Sequence, residues 1–166
     1  FSDKPWHSKE ETSKYTMLQK SGKAIRFFWV NEVNSVITSP CPEKPWTHLK
    51  KGEMVEIEGL AWSGHGTIKG VDISFDGGDN WVEARLKGLV LPKSWTRFSY
   101  VIKWEGKPLF LASRSYDDFG NVQPTIDQET SAVGVESVYH RNAIVTWEIT
   151  NKGECNNVQI RKHKKA

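Results

Sequence analysis

The chain has 166 residues, with 23 Lys+Arg against 20 Asp+Glu, a formal net charge of +3, 37% hydrophobic and 26% charged residues. That is the length of one domain and a composition able to close one core, which excludes an intrinsically disordered chain. The longest apolar runs, around Ile25 to Val30 and Leu109 to Ala112, fall far short of the roughly 18 residues a membrane helix needs, so no membrane partner is expected.

Residues 1–24, with Lys4-Pro5-Trp6 and the polar run His7 to Lys14, follow neither a helical nor a strand period and read as a linker. The chain opens on Phe1 without an initiator Met or a basic-then-apolar leader, and is expected to be a processed chain or an excised piece. From residue 25 short apolar runs alternate with turn residues. Strands are predicted at Ile25–Val33, Val36–Thr38, Met54–Gly59, Ile68–Phe75, Trp81–Leu86, Trp95–Trp104, Leu109–Tyr116 and Ala143–Ile149. Val71, Ile73 and Phe75 would share one face and Asp72, Ser74 and Asp76 the other, and Phe98, Tyr100, Ile102 and Trp104 repeat the pattern. Asp76-Gly77-Gly78-Asp79 predicts a tight hairpin, because glycine takes positive φ without a Cβ clash. Glu105–Pro108 and Asp117–Asn121 predict further turns. No segment carries a helical apolar stripe, so helix content should be low. Seven or eight strands with regular turns favour an all-β, immunoglobulin-like sandwich over 25–150, followed at 151–166 by a C-terminal strand or basic tail.

Charge argues against nucleic acid as a partner. Residues 53–137 carry 8 basic and 13 acidic groups, whereas the positive excess lies at the ends, 9 against 5 over 1–52 and 6 against 2 over 138–166. The run Arg161-Lys162-His163-Lys164-Lys165 reads as a solvated terminus.

The residues assemble no complete active site. Cys41 and Cys155 fit no metal or redox spacing, and whether they pair is open on sequence alone. The five histidines are not spaced to share a strand or helix face, so no metal ligand is expected. Gly64-His65-Gly66 and Gly77-Gly78 lack the Lys-Ser/Thr pair of a phosphate loop, and no nucleophile elbow is present. What stands out is 8 Trp, more than a small sandwich core comfortably encloses. Trp62, Trp81, Trp104 and Trp147 are therefore candidates for core or for an interface with another surface.

The stretch from Gly59 to Trp81 resembles the C-terminal dimerisation domain of the sulfite oxidase family of molybdenum enzymes. It carries that domain's Gly-x-Ala-Trp-x-Gly start (Gly59 to Gly64), Ile-x-x-Val-Asp-Ile-Ser strand (Ile68 to Ser74) and Asp-Gly-Gly-x-x-Trp hairpin (Asp76 to Trp81). A second block, Arg114 to Pro124, is similar to the family's segment ending Asn-Val-Gln-Pro. Lys4-Pro5-Trp6, Glu10 to Thr16 and Asn34 to Pro40 are similar to the bacterial sulfane or sulfite dehydrogenase branch, and the likeness runs to about Ile149, leaving the last 17 residues unmatched.

The resemblance implies an immunoglobulin-like domain that pairs two subunits, with 1–24 leaving a separate upstream domain that holds the molybdopterin-molybdenum cofactor. This chain would bind no cofactor and would be inactive alone. The parent would oxidise sulfite or sulfane sulfur, pass electrons to a c-type cytochrome subunit and reside in the periplasm. Some members lend an arginine from an Asn-x-Arg-Gly context to the anion pocket over the metal; the corresponding region here is Val138 to Ile144, which departs from that motif. Arg141 or His140 could supply positive charge to a sulfite-like dianion, and an ordinary surface or interface arginine is the competing reading. Two alternatives stay open: a stand-alone immunoglobulin-like protein-binding module, and an enzyme acting by itself on a small anion through Arg114, His140 and Arg141.

Overall fold

The computed structural model describes residues 2–4, 6–18, 21, 23–134 and 140–160. In chain order its elements are α1 (Lys9–Ser13), β1 (Thr16–Leu18), β2 (Ala24–Phe27), β3 (Asn34–Ser39), β4 (Glu53–Trp62), β5 (Ile68–Ser74), β6 (Val82–Glu83), β7 (Arg85–Lys87), β8 (Thr96–Trp104), β9 (Leu109–Asp117), α2 (Ile126–Val133), β10 (Thr146–Ile149) and β11 (Cys155–Val158).

Period-two alternation gives each long strand one apolar face, and the two resulting sheets bury those faces against each other. One sheet has the order β3-β4-β8-β7 and the other β11-β10-β9-β5-β6, with antiparallel pairing between neighbouring strands. β4 and β8 run side by side from Glu53↔Trp104 to Ala61↔Thr96. Their inward residues, Ile57, Ala61, Phe98 and Trp104, meet Val71, Ile73, Leu111 and Ile149 of the opposite sheet in a single core. Two antiparallel sheets packed face to face are the all-β sandwich expected from sequence, of immunoglobulin-like type.

Local departures have physical reasons. Residues 1–24 contain α1 and β1, and β1 pairs with β2, although their polar composition hides any period. Ile25–Val33 is not one strand: β2 ends at Phe27. The single strand expected at Trp81–Leu86 is divided in two, β6 pairing with β5 in one sheet and β7 with β8 in the other. Ala84, buried between them, is where the chain crosses from one sheet to the other. Pairing after β5 resumes at Ile73↔Val82, so Asp76-Gly77-Gly78-Asp79 sits in a wide loop rather than a tight hairpin, with Gly77 and Gly78 at φ 75° and 95°. Ser74, expected on the solvent face, is fully buried because its hydroxyl accepts the Gly78 and Asp76 backbone N–H groups and the loop folds over it. Helix α2 was not expected; its signal was the cap Thr125-x-x-Gln128, in which the Thr125 hydroxyl accepts the Gln128 N–H while the Gln128 side chain accepts the Thr125 N–H. Within 151–166 lies β11, and the basic run from Arg161 lies outside the described residues.

A polar network spans the core between β3 and β9. The Ser35 hydroxyl donates to Gln123 Oε1 at 2.6 Å and lies 2.9 Å from the Ser113 hydroxyl, and Gln123 Nε2 donates to Asn34 Oδ1 at 2.8 Å. Ser35, Ser113 and Gln123 are buried yet paired, so they cost little in stability while fixing how the two sheets align. Gln123 lies in the Asn-Val-Gln-Pro stretch, which thereby gains a structural reason.

Candidate functional site

Arg141 and His140 occupy the segment that returns from α2 to β10. His140 adopts the left-handed conformation, φ 60°, and its ring packs at a tilt 4.5 Å from Phe28 and 5.7 Å from Tyr15, tying this segment to the N-terminal hairpin. Arg141 Nη1 donates to Glu129 Oε2 at 2.8 Å and Nη2 to the Gly134 carbonyl at 3.4 Å. Glu129, on α2, is 5% exposed, and its other oxygen accepts the backbone N–H groups of Asn142 at 2.7 Å and Ala143 at 3.2 Å. A carboxylate this buried needs such partners, since an unpaired charge there would pay its full desolvation cost. The Arg141 charge is thus balanced within the chain by a residue that sequence reasoning missed, because Glu129 and Arg141 are twelve positions apart across a helix end. Asn142 Nδ2 donates to the Val33 carbonyl at 3.0 Å and pins the same segment to the start of β3.

Arg141 and Trp62, far apart in sequence, line one cleft of about 410 Å³ together with Asn34, Ile126 and Asn157. The four candidate tryptophans divide by environment. Trp104 is 3% exposed, lies 5.8 Å from the Trp46 ring and donates its indole N–H to the Lys107 carbonyl, so it belongs to the core. Trp147 packs against the core and donates to the Ile37 carbonyl at 2.9 Å, joining the two sheets. Trp62, on the outer face of β4, packs with its ring 4.9 Å from that of Trp95, tilted by 35°, and Trp95 is 65% exposed. Trp81 is half-buried beneath Arg114, whose guanidinium carbon stands 4.4 Å from the ring centroid.

Arg114 and Asp72 face each other across β9 and β5, Nη2 to Oδ2 at 2.7 Å. Gly78, Trp81, Arg114, Thr125, Gln128 and Ile160 enclose a groove of about 380 Å³ over the outer face of this sheet. Its cation is committed to Asp72 and to the Trp81 face, and Asp127 adds negative charge to the rim.

Among the described residues no group of three His, Cys, Asp or Glu stands close enough to hold an ion. Cys155 is a poor ligand, because burial, with smaller contributions from Cys41 and Glu43, pushes its thiol up to about 11, away from the thiolate a metal binds. No helix among the described residues is long and apolar enough to cross a membrane.

Comparison with known proteins meets this geometry. Residues 26–147 match the Mo-co oxidoreductase dimerisation domain model. The chain is 37% identical over 99 residues to the mitochondrial sulfite oxidase of Rattus norvegicus, covering 55% of this chain and 17% of that protein. It is 35% identical over 98 residues to the sulfite oxidase of Gallus gallus, covering 55% of this chain and 20% of that one. The crystal structure of the sulfane dehydrogenase SoxCD from Paracoccus pantotrophus superposes with a TM-score of 0.87 at 48% identity, over 93% of this chain and 39% of that chain. The chain therefore spans about a fifth of the length of the curated sulfite oxidases it matches. With a two-sheet sandwich along nearly the whole matched span, the chain belongs to the Mo-co oxidoreductase dimerisation domain family.

Proposed function

We propose that this domain joins two copies of a molybdenum-dependent oxidoreductase of the sulfite oxidase or sulfane dehydrogenase type. The likeness to SoxCD over nearly the whole chain carries this reading. The domain itself is catalytically silent, and molybdopterin-molybdenum belongs to a separate upstream domain of the same protein. The parent oxidises sulfite or sulfane sulfur in the periplasm and hands electrons to a c-type cytochrome subunit.

The work of the domain is mechanical. A twofold interface presents the same patch on both copies, so one apolar patch suffices for both sides of the contact. The Trp62–Trp95 pair and the half-buried Trp81 are among the aromatic surfaces left uncovered once the core is filled, and they support an interface role, whereas Trp104 and Trp147 serve the core. Arg141 and His140 are assigned to the electrostatics of the parent's anion pocket. In that role Glu129 holds the guanidinium in place and His140 anchors the segment on Phe28.

The test is light scattering across a dilution series of the complete protein, with wild type beside a Trp62→Ala/Trp95→Ala double variant. A concentration-dependent dimer that shifts to monomer at least about tenfold earlier in the double variant is expected, since loss of a central aromatic pair typically costs more than ~1.4 kcal/mol of association. A wild type that stays monomeric at high concentration overturns the dimerisation reading. An unchanged variant removes these two tryptophans from the interface.

A further inference from the structure

The two cysteines lie 114 positions apart in sequence, yet the fold clamps their backbones together from both sides. β3 is the edge strand of one sheet and β11 the edge strand of the other; Cys41 lies two residues beyond β3, Cys155 is the first residue of β11, and two hydrogen bonds bring the neighbouring segments together. Before Cys41, the Ile37 carbonyl accepts the Trp147 indole N–H at 2.9 Å, which ties β3 to β10. After it, Trp46 N–H donates to the Gly153 carbonyl at 2.8 Å, which ties the following loop to the β10–β11 turn. Between these anchors Cys41 and Lys44 close a short turn, the Lys44 N–H donating to the Cys41 carbonyl at 2.9 Å. Gly153, at φ 78°, comes so close to the Trp46 carbonyl that no side chain fits between them. Cys155, two residues beyond this contact, belongs to the core at 7% exposure, and Cys41, five residues before Trp46, is half-buried. The Cys41 thiol is also near enough to be, after burial, the next largest influence on the proton affinity of Cys155.

We propose that Cys41 and Cys155 are the two halves of an intramolecular redox crosslink that staples the open β3/β11 edge of the sandwich. The oxidant is a disulfide, either of a protein thiol oxidase or of oxidised glutathione. The Cys41 thiolate, the more accessible of the two, attacks one oxidant sulfur and expels a thiolate, leaving a mixed disulfide on Cys41. The Cys155 thiolate then attacks Cys41 Sγ and expels the second thiolate. Two protons leave the cysteines and two electrons pass to the oxidant, which departs as two thiols. The product links the N-terminal edge strand to the C-terminal hairpin, an edge otherwise held by the Trp46 and Trp147 hydrogen bonds. Closing so long a loop restricts the unfolded chain strongly.

The experiment takes the complete protein, incubates it with oxidised or reduced glutathione, alkylates remaining thiols and maps peptides without reduction. In the oxidised sample the peptides holding Cys41 and Cys155 are expected as one crosslinked species, about 2 Da lighter than the sum of its parts. Its thermal midpoint should exceed that of the reduced protein by about 5 to 15 °C. The difference should vanish in a Cys41→Ser variant, whose Cys155 peptide is recovered unlinked. Recovery of the two wild-type peptides separately after oxidation, alkylated or each carrying its own glutathione, overturns the proposal, as does a link from either cysteine to a different one.

Discussion

Glu129 is the residue on which the α2-to-β10 segment depends. It is buried, faces a guanidinium and accepts two backbone N–H groups, so removing it takes the carboxylate from a half-buried cation and the acceptor from two backbone donors at once. Glu129→Ala should lower unfolding stability by about 2–3 kcal/mol, read from urea midpoints at unchanged slope. On the proposed reading of Arg141 as part of the parent's anion pocket, the variant in the complete protein should also raise KM more than it lowers kcat. An equal fall in stability with unchanged KM would confine the pair to a structural role. Asp76 offers a pH test at the same scale. The Asn80 backbone N–H, the Asn80 side-chain amide, the Ser74 hydroxyl and, less strongly, the Asp79 N–H all bond its carboxylate and hold the carboxyl well below the usual range against the opposing effect of burial. Because the folded value lies below the unfolded one, the stabilisation is fully present above about pH 4 and is lost as pH falls through the lower folded value. The Trp81 indole N–H, which donates to the Gly78 carbonyl in the same loop, should therefore shift on acidification in NMR spectra, and Asp76→Asn should abolish that shift.

Among the elements, the β10–β11 hairpin is the one most tightly specified by backbone approach. Gly153 takes a positive φ, and a Cβ there would meet the Trp46 carbonyl, so neither a side chain nor an ordinary conformation is tolerated. Gly153→Ala should cost about 1–3 kcal/mol by thermal unfolding, and the loss should be larger than that from the exposed Gly120→Ala, whose Cβ would meet open space. Helix α2 rests on a reciprocal cap. Thr125→Ala should cost about 1 kcal/mol and loosen the Glu129 platform, seen as faster amide exchange at Asn142 and Ala143. The β6–β7 crossing shows how an element escapes sequence reading. Trp81–Leu86 has the composition of one strand, and only the competition between the β5 and β8 edges splits it between the sheets.

For the whole molecule, several large apolar side chains remain on the surface after the core closes, among them Trp95 at 65%, Phe119 at 71% and Leu89 at 84% exposure. Self-association that covers part of this surface stabilises the fold by mass action, so the unfolding midpoint should rise with protein concentration. Thermal scans over a hundredfold concentration range check this: an invariant midpoint would mean that the folded monomer needs no partner.

Much of this was legible in the residues. The period-two runs around Val71 and Phe98, the Gly59–Trp81 and Arg114–Pro124 motifs and the absence of a helical stripe determined the all-β class, the sandwich and the family, because strand faces and turn conformations are dictated by neighbours close in sequence. Helix α2 was half legible, through its cap but not its apolar face. Which tryptophans fill the core, that Arg141 answers to Glu129, that Trp62 leans on Trp95, and that the loop after Cys41 meets the turn before Cys155 were decided only in three dimensions. Each of these is a pairing between residues far apart along the chain, set by which sheet edges stack and which loops cross them, and no local pattern of side chains encodes that geometry.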